Sequence, residues 1–561
     1  MPVDSNDNTK QGKPVVQAGG GINPPIGDDA TLPSAPPSAT QSVFESSQPW
    51  PVAQAFNKQV LPQPPVVSVP NSQNMQNPSF TGASVAEETK TNLYQEGMVA
   101  PQKEEAVLPQ DQKTTQESEK SETKIPKKGN LKKILLIVAS LILVGILGFI
   151  AYRMFFLKTK QAEKITLNWW SLWEDESIVA PLIASYQESH PNVTINYTRQ
   201  SQTDYRERLT NSLAKGEGPD IFRFHNTWGP MFKNELDNVP PSFMSASDYS
   251  QTYFPVAVSD MTSGTGLVGV PLGYEALTLY VNEDLFAAEG VTPPVNWDDL
   301  RDLAKRFTKT ENGQIVQSGV ALGRTENVDN WQEILALMML QNGADLNKPT
   351  GILAEDALKF YTLFANVDKV WNETLPNSTL FFASGNLAMY FGPSWRYFEI
   401  KGLNPDLNFR TVPVPQLPKQ TSFEPDIAYA TYWAEGVWER SVNKDAAWDF
   451  LKYLSEKQNL EVLYKNASAT RGFGEAYPRV DQKELLADHE ILGSIIALAD
   501  KAQSWYLASR TFDGPTGINS LISSYFEDAV NAVNAGTDPK NALETASLGV
   551  GQVLTQYGLF K

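Results

Sequence analysis

Residues 165–224 read ITLNWWSLWEDESIVAPLIASYQESHPNVTINYTRQSQTDYRERLTNSLAKGEGPDIFRF. ITLNW (165–169) and VTINY (193–197) alternate apolar and polar side chains, the two-residue period of a half-buried strand. Between them, residues 176–190 put Ile178, Val179, Leu182, Ile183 and Tyr186 on one helical face, and Pro191 stops that helix. Residues 204–215 read as a second helix ended by Gly216, and DIFRF (220–224) as a third strand. Strands alternating with helices predict an α/β fold, a parallel sheet covered by helices.

The same pattern continues downstream. A strand is expected around Thr278–Val281, and helices over residues 298–307 and 329–340. Asn443 or Asp445 can cap a helix carrying Ala447, Phe450, Leu451 and Leu454. Residues 520–559 read as mostly helical, and no internal repeat is visible. The roughly 400 residues from Ile165 onward suffice for two lobes.

Upstream the composition changes. The first 133 residues hold 17 of the 38 prolines and no arginine, among runs of Gln, Ser, Asn and Thr. Such a stretch buries too little apolar surface to offset its chain entropy, so residues 1–133 are expected to be a disordered tail. Ile134 to Tyr152, ILLIVASLILVGILGFIAY, is 19 residues without a charge. It matches the ~20 residues that cross a bilayer, and residues 134–156 are expected to form a transmembrane helix. A signal peptide fits poorly, because no A-x-A-like site follows, and a core helix is rarely apolar on every face. Six lysines lie in residues 119–133 against four basic residues in 153–167, which points the N-terminus to the cytoplasm and the C-terminal domain outside. An eight-residue linker, 157–164, reaches at most about 28 Å and holds the folded part near the membrane.

Charge and missing motifs exclude several functions. Of the net −18, residues 1–133 carry −2 and residues 153–164 carry +3, leaving −19 on residues 165–561. So acidic a domain argues against a nucleic-acid partner. There is no cysteine, hence no disulfide, thiolate catalysis or Cys-bound zinc. His190, His225 and His489 form no metal motif, and neither G-x-S-x-G nor a P-loop occurs. GTGLVG (264–269) spells a dinucleotide fingerprint, but Val270, Pro271 and Gly273 forbid the helix that must follow it. A turn between strands is expected there instead. The neighbouring Glu174, Asp175 and Glu176 suit a helix start better than a glycosidase, which needs two carboxylates about 5–10 Å apart across a cleft. Neither catalytic residue, metal nor cofactor is expected.

The aromatic residues cluster where a crevice belongs. Trp173 follows the first strand and Trp228 the third; Tyr274, Trp395 and Trp433 lie beside glycine, proline or glutamate; Trp505, Tyr506 and Phe512 precede the C-terminal helices. Loops after the strands of parallel α/β sheets line the ligand crevice. Aromatic faces among Asp, Glu, Arg and Asn suit sugars, whose rings stack and whose hydroxyls need oriented partners. Trp169, Trp297, Trp438 and Trp448, inside regular elements or at caps, are expected in the core.

ITLNWWSLWE, ESHPNVTINY, YRERLTNSLAKGEGPDIFRF, GLVGVPLGYEALTLYVNEDLF with PPVNWDDLRDLAKRF, FFASGNLAMYFGPSW and NKDAAWDFLKYLSE together resemble bacterial extracellular solute-binding proteins of ABC importers, the sugar-binding group that includes maltose-binding protein. The resemblance runs through most of residues 165–530. It implies a two-lobed α/β periplasmic-binding-protein-like fold with an interlobe cleft. The first lobe would comprise about 165–273 and 434–485, the second 274–433 and 486–561. The chain would cross near Leu272–Ala276 and Tyr429–Ala434, with hinges expected near Gly273–Ala276 and Tyr429–Ala434. By the same resemblance, Trp395 would stack on sugar, and Trp173 with Glu174, Trp228, Tyr274, Trp433 and Trp505 would contact it. A carbohydrate ligand and ABC permease subunits are the implied partners. A transmembrane anchor and a long tail are departures from the family, and they keep a membrane-tethered glycan sensor open as an alternative.

Overall fold

The computed structural model describes residues 131–156, 163–264, 266–419 and 425–559. The expected tail (up to residue 130) and most of the linker lie outside the described residues. Leu131–Phe156 is a 26-residue helix, α1, whose described large apolar side chains are 47–71 % exposed. Counting only described side chains, no helix is long and apolar enough to cross a membrane; the unbroken described run of α1 is 135–150.

The first lobe begins as the period predicts. Strand β1 is Ile165–Ser171, helix α2 Glu176–Ser189, strand β2 Val193–Arg199, helix α3 Tyr205–Lys215 and strand β3 Ile221–His225. Asp175 caps α2 by accepting from the Ser177 N–H at 3.1 Å, and Ile178, Val179, Leu182 and Tyr186 turn inward. Helix α3 starts at Tyr205, because Asp204 has a φ of 53° and makes no cap bond; Gly216, φ 79°, ends it. Within GTGLVG, Gly266–Leu267 pairs antiparallel with the preceding Thr262–Ser263, and no helix follows in the described residues 266–282.

Each lobe is built on one five-stranded sheet. In the first, β1 is parallel to β2 and β3, while Trp433–Val437 runs antiparallel to β3 and Val270–Pro271 antiparallel to that strand. In the second, Leu277–Asn282 is antiparallel to Leu387–Pro393 and to Phe409–Val412, and Gln314–Val320 is parallel to Leu387–Pro393. The sheets are therefore mixed, where helix–strand alternation predicts parallel ones. Trp433–Val437 comes in from the other lobe without a crossover helix, so nothing forces it to run parallel.

The connecting segments are tied together. Ala276 bridges Ala430, the Thr431 N–H donates to the Glu275 carbonyl at 3.0 Å, and Ala428–Tyr429 pairs with Ala502–Gln503. A β-carbon on Gly273 would stand 2.8 Å from the Glu475 Cβ, so only glycine lets the two chains pass this closely. The Asp260 carboxylate ties the same region by accepting from Asn226, Tyr432 and Ser504. Trp169, Trp297, Trp438 and Trp448 are all buried, as their positions imply.

Candidate functional site

Both sheets deliver side chains to one cavity of about 370 Å³. Trp173 arrives just past the end of β1. Trp433 opens an antiparallel strand and so stands opposite His225, the last residue of β3. Trp395 follows the end of Leu387–Pro393 in the second lobe. Tyr274 and Glu275 come from the crossing segment, and Arg510 and Phe512 from the loop before the helix Ile518–Asn534.

The aromatic wall is a packed set. The half-buried Trp173 meets Trp433 edge-on at 5.7 Å and Phe512 at 5.9 Å. Edge-on contacts keep ring faces available to a ligand. Across the cavity, Trp395 carries two guanidinium groups, Arg396 at 4.7 Å and Arg510 at 5.0 Å from its ring centre.

The charges behind this wall are engaged. Arg223 binds Glu174 on one side and Glu435 on the other, with its Nε 2.8 Å from Glu435 Oε1, and Trp169 donates its indole N–H to Glu435 at 3.1 Å. Burial opposes charge on all three, but Arg223 still holds the Glu174 carboxyl below its ordinary range. Among the described residues no cation pairs with Glu275. Its carboxyl accepts from the backbone N–H groups of Ser394 and Ala276 at 3.0 and 2.9 Å and from the Ser394 hydroxyl, and burial pushes its pKa up to about 8. Burial also lowers the His225 pKa to about 3, so this imidazole stays neutral between Thr227 and Thr431. Among the described residues no His, Cys, Asp and Glu group could hold a metal ion.

Five of the seven residues expected at the site line the cavity: Trp173, Glu174, Tyr274, Trp395 and Trp433. Glu174 does so as the partner of Arg223, 4 % exposed, which occupies a carboxylate that a ligand hydroxyl would otherwise meet. Trp228 does not line it. That ring is fully buried, stacked on Phe232 at 5.7 Å, and supports Trp433 edge-on at 5.3 Å. The position after β3 lies in the tight turn Asn226–Trp228, whose three residues are all buried. Trp505 lies outside as well; its indole N–H donates to Asn347 at 3.1 Å and its backbone carbonyl accepts from Tyr429.

Asn330, Glu333, Glu275 and Arg510 line the cavity without having stood out in the sequence. Glu333 carried a usable signal, a lone carboxylate inside the apolar run WQEILALMML (331–340). Arg510 carried none, since its direction comes from a left-handed backbone.

A family model described as bacterial extracellular solute-binding protein matches residues 170–461, just over half of the chain. A putative binding protein of Brucella abortus is 22% identical over 290 residues, 49% of this chain and 67% of that protein. An ABC transporter solute-binding protein of Thermotoga lettingae, solved with α-D-tagatose, superposes with a TM-score of 0.53 at 21% identity, covering 69% of this chain and 99% of its own. The sugar-binding protein MalE of Xanthomonas citri gives 0.57 at 20% identity, over 70% and 98%. Both structures share the two-lobed α/β architecture.

Proposed function

The chain belongs to the bacterial extracellular solute-binding protein family, and from that premise we propose that it captures a sugar or oligosaccharide in the interlobe cavity and delivers it to an ABC importer. The observation that carries this reading is the cavity wall itself: Trp173, Trp433 and Phe512 on one side and Trp395 on the other, with polar groups between. Sugars need apolar ring faces and fixed polar partners together, and a cavity of this size lies within the ordinary range for small ligands. Reversible binding without chemistry is supported by the carboxyls. Glu174, Glu399 and Glu475 are each paired with an arginine, and Glu275 is held by three donors. The fifth carboxyl of the wall, Glu333, is bonded through one oxygen to the Ser509 N–H, and among the described residues of the wall no second unpaired carboxylate accompanies it as a glycosidase needs.

Membrane attachment through residues 134–156 completes the proposal. Its support is the uncharged run 134–152 and the exposure of the apolar side chains of α1. A helix apolar on every side is stable where lipid surrounds it.

Calorimetric titration of the purified full chain with D-tagatose, maltotriose, mannotriose and diacetylchitobiose tests the function. At least one should bind and be recovered intact by chromatography. Absence of binding across the panel, or recovery of cleaved sugar, overturns it.

A further inference from the structure

The helix Trp331–Gln341 starts abnormally. Its N-cap, Asn330, has a φ of 58° and its side chain makes no cap bond. Instead Asn330 Nδ2 donates to the Ser509 hydroxyl at 3.0 Å, and among the described residues Oδ1 has no hydrogen-bond partner although Asn330 is only 4 % exposed. One turn further, Glu333 is 1 % exposed. Its Oε1 accepts from the Ser509 N–H at 2.6 Å, and among the described residues its Oε2 has no hydrogen-bond partner. Both residues line the cavity. A buried polar atom left unmatched is costly, and native proteins hold few of them without a ligand or water to meet them. Here two such atoms belong to residues three apart on one wall, and the Asn330 side chain lies close enough to the Glu333 carboxyl to act on it.

We propose that Asn330 Oδ1 and Glu333 Oε2 form a polar subsite on the second-lobe wall that takes two neighbouring hydroxyls of an uncharged sugar ring. The inference rests on the reading of the cavity as a sugar site and names the part of that site which selects the hydroxyl pattern. A hydroxyl both donates and accepts. It can donate to the Asn330 oxygen and can satisfy the Glu333 carboxyl in either protonation state. Burial raises the Glu333 pKa, which favours the neutral acid and a neutral partner. An ammonium group fits worse. The exposed carboxylates of the wall are already paired with Arg396 and Arg471, and the guanidinium of Arg510, next in sequence to Ser509, adds positive charge. An apolar group would leave both oxygens unmatched.

Ser509 fixes the geometry from the other side. It contacts both residues through two bonds, and the following Arg510 and Phe512 hold left-handed backbone angles of 51° and 53°. Both oxygens have almost no solvent-accessible surface, so a hydroxyl reaches them as the covering side chains shift, while the locked segment keeps their spacing fixed.

The test titrates the full-length wild type, Asn330→Ala and Glu333→Gln with whichever of maltotriose and mannotriose the wild type binds more tightly, and with its single-deoxy derivatives, with thermal midpoints as the folding control. Asn330→Ala should bind the parent sugar about three- to tenfold more weakly, the weight of one hydrogen bond. One deoxy derivative should lose a similar factor on the wild type and little more on Asn330→Ala, and Glu333→Gln should couple to the adjacent hydroxyl. Variants that keep their midpoints and bind every sugar as the wild type does would overturn the subsite alone. Losses that are equal for all deoxy derivatives would also overturn it, since they mark a merely structural role. Tighter binding of the amino-sugar form of the same probe, abolished by Glu333→Gln, would replace the diol by a cation. A wild type silent toward the whole sugar panel removes the sugar reading and the subsite with it.

Discussion

The guanidinium carbon of Arg510 lies 5.0 Å from the centre of the Trp395 ring, and Arg510 reaches it through a backbone φ of 51°. Two residues on, Phe512 repeats the left-handed angle and touches Trp173. One short loop thus contacts an aromatic of each lobe. Left-handed angles at non-glycine residues cost of order 1 kcal/mol or more and persist where the surroundings enforce them.

Replacing Arg510 by glycine should relieve that strain. The Arg510→Gly protein is expected to gain about 0.5–1 kcal/mol of stability in urea titration, with weaker sugar binding because the stacked guanidinium is gone. A loss of stability would mean that the contact on Trp395 outweighs the strain.

Trp395 itself is half-buried at the cavity wall. Trp395→Ala should weaken sugar binding by about 1–3 kcal/mol while the ligand-free thermal midpoint moves little. An unfolded variant would place Trp395 in the core instead.

Trp228 should behave oppositely. It is fully buried against Phe232, Tyr205 and Trp433. Trp228→Ala is expected to cost about 3–5 kcal/mol of folding stability. Any loss of affinity should be secondary, through the loosened Trp433. A stable variant with lost binding would make Trp228 a contact residue.

Glu275 makes stability depend on pH. Its carboxyl, ordinarily near 4.5, is raised to about 8 by burial. Between those values the folded chain holds a proton that the unfolded chain has released, so stability falls as pH rises from about 4.5 through about 8, by at most roughly 5 kcal/mol. Glu275→Gln should flatten this slope in denaturant midpoints measured from pH 5 to 9. An unchanged slope would assign it to other groups.

Protease added outside intact cells should degrade the chain beyond Lys164 and spare the N-terminal residues, if the lysines before Ile134 set the orientation. Degradation of the N-terminal part alone would reverse the topology.

The sequence determined the element pattern, because side-chain period and helix stops are local. Residues 165–224 foretold β1, α2, β2, α3 and β3 to within two residues at each end, and GTGLVG could be rejected from Pro271 and Gly273 alone. The positions of Trp173 and Trp395 at the cavity were legible for the same reason, since each lies two residues past the end of a strand. Trp433 and Tyr274 stood beside glutamate or glycine. Tertiary structure decided the rest. Whether Trp228 faces the cavity or the core depends on how the turn after β3 folds beneath Trp433, a contact between residues 205 apart in sequence. The antiparallel strand Trp433–Val437 exists because the chain returns from the other lobe, and no local period encodes a partner strand. Glu174 lost its place as a free carboxylate to Arg223 and Arg223 bound Glu435 as well, a cluster assembled from three distant segments. The unmatched oxygens of Asn330 and Glu333 arise in the same way, because a group counts as unmatched only once folding has fixed everything around it and removed water.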